Sequence, residues 1–86
     1  MTNEKIEKFI NKKFLDQLPV KVNFRNRGPI HGIFITTPDY AELKAKNLWR
    51  IVGGNNMEAY KKSKDSSLAG IFSGVHMKKL EASDES

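Results

Sequence analysis

The hydrophobic pattern of this chain changes its period at Pro19, and this change limits the possible folds more than any other sequence feature. Before Pro19, apolar residues recur at spacings of three and four, which is one stripe of an amphipathic helix. After it, apolar and polar residues alternate, as in a half-buried β-strand. One helix followed by strands predicts an α+β fold in which the apolar stripe of the helix faces the core.

The helix is predicted over residues 3–18. Thr2 or Asn3 can cap its start, and Pro19 ends it because proline cannot continue the hydrogen-bond ladder. The apolar stripe consists of Ile6, Phe9, Ile10, Phe14 and Leu18.

A small five-stranded antiparallel barrel is predicted after the helix, with strands over residues 19–25, 30–36, 40–45, 48–52 and 75–80. In the first strand Val20, Val22 and Phe24 face inward, and Gly32 in the second predicts a sharp bend. The segment Thr37-Pro38-Asp39 fits either a helix start or a turn, and the alternation after it favours a turn into a third strand.

A short helical insert is predicted over residues 57–64, before the last strand, with Asn55 as its N-cap. Residues 66–72 fit either a continued helical turn or a strand. With 86 residues the chain has material for one core, so residues 1–80 are predicted to form a single helix-plus-barrel domain. Residues 81–86 are predicted to be a disordered acidic tail, because they are short, polar and terminal.

The composition excludes several classes of site and protein. There is no cysteine, which excludes disulfides, Fe–S clusters and thiol catalysis and is typical of a reducing compartment. The longest aliphatic and aromatic run, Ile33-Phe34-Ile35, is far too short to cross a bilayer, and the N-terminus lacks an apolar signal region. A cytoplasmic location without a membrane partner is therefore expected.

No catalytic or metal centre is expected. His31 and His76 are the two histidines, and neither has clustered carboxylates beside it. Gly53-Gly54 lacks the frame of a phosphate-binding loop, and no segment is similar to a nucleophile elbow. The sequence thus predicts a non-catalytic protein without a cofactor.

Charge indicates a binding surface instead. The net charge is +5, and the last six residues hold three acids and no base, so the body is more basic still. Such an excess attracts polyanions, although lysines that only keep a small protein soluble explain it equally well. Trp49 either belongs to the core or stacks on bases, and a lean core favours the first. The candidate nucleic-acid-binding residues are Arg25, Arg27, Tyr40, Lys44, Lys46, Arg50, Tyr60, Lys61 and Lys62.

The order of motifs over residues 6–52 resembles the Sm-like fold, especially the bacterial RNA chaperone type known as Hfq. The resemblance rests on the helix, Pro19-Val20-Lys21-Val22, His31-Gly32-Ile33 and an Asp39 that opens a third strand. The family spaces that glycine and aspartate six apart, whereas here they are seven apart. Tyr60-Lys61-Lys62-Ser63 is similar to the family's Tyr-Lys-His-Ala motif, with lysine replacing histidine. RNA binding is what the resemblance implies.

Two functions remain open at this stage. The first is binding of RNA or another polyanion by a basic Sm-like barrel surface. The second is a protein–protein interaction module with an SH3-like barrel, in which an exposed edge or the Trp49 hairpin binds a partner peptide. Rings in the Sm-like family depend on pairing between the last two strands of neighbours, and residues 66–74 lengthen that region here. Homo-oligomerisation therefore stays open.

Overall fold

The computed structural model describes residues 1–11 and 13–83 and shows a small α+β fold with an N-terminal helix, as predicted. Three short 3-10 turns precede α3, β4 and β5. The helices and strands are α1 (Asn3–Ile10), β1 (Val20–Phe24), β2 (Ile30–Phe34), α2 (Tyr40–Ala45), β3 (Leu48–Gly53), α3 (Met57–Ser63), β4 (Gly70–Ser73) and β5 (Met77–Ala82).

The five strands form one antiparallel sheet in the order β4-β3-β2-β1-β5. The sheet is not closed, because β4 and β5 occupy its two edges and are not paired in the described part of the chain. The sheet is strongly bent, however. Phe24 on β1 and Phe72 on β4 bring their ring centroids within 5.9 Å, although two strands separate them in the sheet. The prediction of a closed barrel is replaced by an open, curved sheet.

Gly32 lies at a close approach between β2 and β3. A Cβ atom there would lie 2.6 Å from the Ile51 Cγ2 atom and 2.6 Å from the Val52 carbonyl oxygen. Only glycine leaves room for this approach. The sequence predicted a sharp bend at Gly32, whereas the contact that requires glycine here is the close approach to β3.

The sheet carries apolar residues on both faces. The main core joins α1 to the inner face, where Ile6 and Ile10 pack with Phe34, Trp49 and Ile51. A smaller cluster on the outer face consists of Ile33, Ile35 and Val52, and α3 covers it with Met57 and Tyr60. Because residues alternate along β2 and β3, these two clusters lie on opposite sides of the same strands.

The first helix is shorter than predicted, since α1 ends at Ile10 and residues 13–18 form turns. The helix ends early because Asp16 makes tertiary hydrogen bonds with the segment at the end of β2. Asp16 adopts a φ of 60°, its N–H donates to the Phe34 carbonyl oxygen at 2.8 Å, and its carboxylate accepts from the Thr36 N–H at 2.9 Å. These bonds to the end of β2 replace helical ones. Leu18, predicted to be inward, is 48% exposed.

The predicted N-cap at the start of α1 is confirmed, because the Thr2 side chain accepts from the Lys5 N–H.

The predicted third strand is wrong, because Tyr40–Ala45 is helix α2. The Leu43 N–H donates to the Asp39 carbonyl oxygen, so the segment after Pro38 opens a helix rather than a strand. The Sm-like resemblance implied that Asp39 opens a strand, but Asp39 precedes helix α2 instead. The undecided region divides into a 3-10 turn at Ser66–Leu68 and strand β4.

The predicted tail begins too early. Glu81 and Ala82 belong to β5, where Glu81 pairs with Lys21 and Ala82 with Val20. Backbone pairing with β1 thus continues past the predicted domain boundary. Residues 84–86 of the predicted tail lie outside the described residues.

Candidate nucleic-acid interface

The turn between β1 and β2 presents two predicted arginines, Arg25 and Arg27, both exposed. The Arg25 N–H donates to the His76 carbonyl oxygen at 2.9 Å, so this backbone is anchored to the turn before β5. The Arg27 guanidinium lies over the rings of Phe24, at 5.4 Å, and Phe72, at 6.0 Å. Two aromatic rings thereby hold a guanidinium at the surface without neutralising it.

The Met1 ammonium adds a positive charge near this turn and connects Lys5 to it. The Met1 ammonium donates to the carbonyl oxygens of Gly74 and Met77, each at 2.8 Å. Its burial lowers the pKa of the ammonium, and the charges of Arg25 and Lys5 lower that pKa further. Lys5 and Arg25 both act on this ammonium, and Lys5 lies on α1, whose start Met1 joins to the turn before β5. We call Lys5, Arg25 and Arg27 the turn cluster.

The α2 candidates are less available for binding. The Lys44 ammonium forms an ion pair with Glu7 at 2.7 Å and lies 5.8 Å from the Tyr40 ring centroid. Tyr40 packs edge-on against Trp49, and burial, with smaller contributions from Glu7 and Asp16, raises the pKa of Tyr40. Lys46 is exposed. Of these candidates, Lys46 is the one that presents a free charge among the described residues.

Arg50 is neutralised by an acid. Its Nη2 atom lies 2.8 Å from Asp39 Oδ2, and its Nε atom lies 3.3 Å from Asp39 Oδ1. Hydrogen bonds from Arg50 and then from Thr37 lower the pKa of Asp39 to about 2. The pair is therefore ionised across the physiological range, and Arg50 offers little net charge to a ligand.

Helix α3 carries the remaining candidates. Tyr60 packs on the outer-face cluster, and burial raises its pKa, with a smaller effect from Asp16. Lys61 and Lys62 are exposed and form no ion pair among the described residues. The Tyr60-Lys61-Lys62-Ser63 motif lies on this helix between β3 and β4, and not between the last two strands.

The basic candidates do not form one continuous surface. Helix α2 is joined to α1 by the pair between Lys44 and Glu7, on the inner side of the sheet, whereas α3 covers the outer side. Trp49 is 2% exposed and donates from Nε1 to Asn47 Oδ1 at 2.9 Å. It is a core residue, so the alternative in which it stacks on bases is excluded.

Sequence reasoning missed several residues at these surfaces. Phe72 contacts the β1–β2 turn, and Lys5 acts on the same ammonium as Arg25, but both are distant from that turn in sequence and no local pattern marks them. A second surface is a groove of about 690 Å³ lined by Lys13, Leu18, Met57 and Lys61 among others, and of its lining residues the sequence predicted Lys61 alone as a binding residue. It brings together the connection after α1, the start of α3 and the end of β5, so only the folded chain assembles it.

Comparison with protein-family models, curated proteins and solved structures gave no match. Within residues 1–11 and 13–83, no helix is long and apolar enough to cross a membrane. No group of three or more histidine, cysteine or acidic side chains placed to hold a metal ion occurs in that same part of the chain. Function is therefore inferred from the geometry of the chain's own residues.

Proposed function

We propose that this protein is a non-catalytic binder of single-stranded RNA, or of another polyanion with similar charge spacing, and that it acts in the cytoplasm. The observation that supports this most is the turn cluster. Arg25 and Arg27 lie on the turn between β1 and β2, Lys5 lies on α1 and acts on the Met1 ammonium, and none of the three forms an ion pair among the described residues. Unneutralised cations that converge are what a phosphate backbone needs.

Arg27 gives the cluster a second capacity. Its guanidinium lies over Phe24 and Phe72, and the plane of an arginine is a stacking surface for unpaired bases. Lys5 and Arg25 then contact the flanking phosphates. A single strand suits this arrangement better than a duplex, because only unpaired bases expose their faces.

The other predicted residues contribute unequally under this proposal. Lys46, Lys61 and Lys62 are exposed and attract the strand over longer distances. Lys44 and Arg50 contribute less because acids neutralise them, and Tyr40 and Tyr60 contribute less because packing covers their rings. The Sm-like resemblance of residues 6–52 implies RNA as the polyanion, although Asp39 precedes helix α2 and not the strand that the resemblance implied.

The salt dependence of RNA binding tests this proposal. The double variant Arg25→Ala with Arg27→Ala should lower affinity and reduce the slope of log affinity against log salt by about 1.4, at about 0.7 for each lost phosphate contact. Fluorescence anisotropy with a labelled ten-nucleotide uridine strand measures both quantities.

A matched control removes the same formal charge elsewhere. Lys44→Ala with Arg50→Ala removes two cations that are already paired with Glu7 and Asp39. The slope of log affinity against log salt should change by much less in this control than in the double variant of Arg25 and Arg27. Equal slopes for the two double variants would contradict a localised interface, and no binding by the unaltered protein at low salt would contradict the function itself.

A protein-interaction module is the second candidate, and the edge strand β4 favours it. In the described chain β4 pairs with β3 alone, Ile71 on β4 is 50% exposed, and Val75 in the turn that follows β4 is 62% exposed. An extended peptide, or a second copy of this chain, could add a strand there. Selection of displayed peptides against the unaltered protein and against Ile71→Asp tests this, because edge binders should be lost with the variant. Sedimentation equilibrium shows whether a second copy binds.

A further inference from the structure

The groove beside α3 combines an apolar lining with side-chain amides and lysines. Phe14, Leu18, Pro19 and Met57 supply its apolar lining, and Leu18 is 48% exposed there. A leucine left half-exposed in a concave site costs free energy that a ligand can recover by covering it. The volume of about 690 Å³ is within the range of small-molecule sites and accommodates a nucleotide unit.

Two carboxamides line the same groove, Gln17 and Asn55. Neither side chain forms a hydrogen bond with the other described residues. An amide presents one acceptor and two donor hydrogens, so it can match the mixed donor and acceptor edge of a nucleobase. Unpaired amides beside an apolar wall fit a flat heterocycle that needs both stacking and hydrogen bonds.

The groove is also net basic. Lys13 and Lys61 line it, while Glu58 is the one carboxylate among its described lining residues. Lys13 lies 5.6 Å from the Phe14 ring centroid, and neither lysine forms an ion pair within the described chain. This charge favours a ligand that carries a phosphate over one that carries a base alone.

We infer that this groove binds an unpaired base of single-stranded RNA, with the adjoining phosphate on Lys13 and Lys61. The inference rests on the proposed function and adds to it a site separate from the turn cluster. Strand β1 links the two sites, because Pro19 lines the groove and Phe24 lies under Arg27. Five residue steps of about 3.3 Å place them roughly 16 Å apart. One flexible strand can therefore occupy both.

Three variants, each with a matched control, test the groove by anisotropy with the labelled ten-nucleotide uridine strand. Leu18→Ser should weaken binding about fivefold without changing the salt slope, whereas Val75→Ser, also at an exposed apolar residue, should not. Lys61→Ala should lower the slope by about 0.7, and Lys62→Ala on the same helix should lower it less. Glu58→Gln should tighten binding about twofold at low salt, and Glu42→Gln on α2 should not.

The outcomes separate the two proposals. Tighter binding by Glu58→Gln supports the groove strongly, because a damaged fold cannot produce a gain. If the unaltered protein binds RNA but each variant has the same effect as its control, RNA binding in the groove is overturned. The proposed function then remains. No binding by the unaltered protein overturns both. Crosslinking of a 4-thiouridine strand to peptides outside the groove, with none to residues 13–19 or 54–61, also overturns the groove.

Discussion

At the scale of single residues, Asn47 and Gly74 form a closely packed junction. Asn47, at a φ of 57°, accepts from Trp49 Nε1 through its side-chain oxygen and donates from Nδ2 to the Met1 carbonyl oxygen at 2.9 Å. Its own carbonyl oxygen accepts from the Gly74 N–H at 2.8 Å. One asparagine thus joins the chain start, the core tryptophan and the turn before β5.

Gly74→Ala should therefore destabilise the fold. A Cβ atom at this position would lie 2.1 Å from Asn47 Oδ1 and 2.6 Å from Ile6 Cδ1, so the junction must open. Overpacking of this kind costs about 1–3 kcal/mol. Urea unfolding measures the loss, and Gly28→Ala is the control because nothing lies within 4 Å of its added Cβ atom. Equal free energies of unfolding for the two variants would contradict the steric conflict expected at Gly74.

Asp39 gives a pH-dependent prediction. Its pKa is lowered from 3.8 to about 2 in the folded protein, chiefly by the hydrogen bond from Arg50. A lowered folded pKa means that the stability contribution is complete above pH 4 and is lost as the pH falls through about 2. Thermal unfolding of the unaltered protein and of Asp39→Asn should differ most at pH 5 and converge toward pH 2. A difference that stays constant with pH would assign the effect to something other than ionisation.

At the scale of elements, α1 is stabilised by its contact with the sheet rather than by its own length. It has eight residues, and isolated helices of that length are marginal in water. Ile6 and Ile10 are fully buried against the inner face, and Phe14 beyond the helix stacks on Phe9 with ring centroids 4.9 Å apart. The apolar stripe thus continues past the helix as a packed turn.

Two alanine substitutions separate the packed part of this stripe from the exposed part. Ile10→Ala should cost about 2–5 kcal/mol because it removes a fully buried side chain. Leu18→Ala should change stability by less than about 0.5 kcal/mol, because Leu18 is 48% exposed. Urea midpoints of both variants give the comparison. A large loss at Leu18 would mean that the helical stripe extends to residue 18 after all.

At the scale of the whole molecule, the open sheet separates its charges. The turn cluster lies at one end of β1 and the groove at the other, while α2 and α3 lie on opposite faces. The net charge of +5 is therefore distributed over several surfaces, and long-range attraction precedes any specific contact.

The acidic end of the chain should weaken that attraction. Asp84 and Glu85 follow Ser83, which lines the groove, so truncation after Ser83 should tighten RNA binding more at low salt than at high salt. Truncation after Leu80 instead removes Glu81, whose Oε2 accepts from Asn23 Nδ2 at 3.0 Å, and should lower stability. Anisotropy and urea unfolding distinguish the two truncations. Unchanged RNA affinity after the shorter truncation at low salt would contradict the electrostatic account.

Local patterns in the sequence predicted the start of α1, strands β1, β2 and β3, the region of β5, and helix α3. Three of these have a signal within a few residues: the Thr2 cap of α1, the alternation of Val20 and Val22 in β1, and the strand-forming run of β3 that ends at Val52. The predicted N-cap of α3, Asn55, is wrong, because Asn56 holds that position and makes no side-chain cap hydrogen bond. Burial on one face leaves a period in the sequence, and a cap requires a particular side chain, so both can be read without the fold.

Tertiary contacts decided the rest. Six residues at Tyr40–Ala45 contain too few repeats to separate a period of 2 from one of 3.6, and packing against Trp49 selected the helix. Two hydrogen bonds between Asp16 and the segment Phe34–Thr36, one donated and one accepted by Asp16, ended the helical run before Pro19. The turn cluster and the groove join segments distant along the chain. Contacts between distant residues depend on how elements pack, and no local period records them.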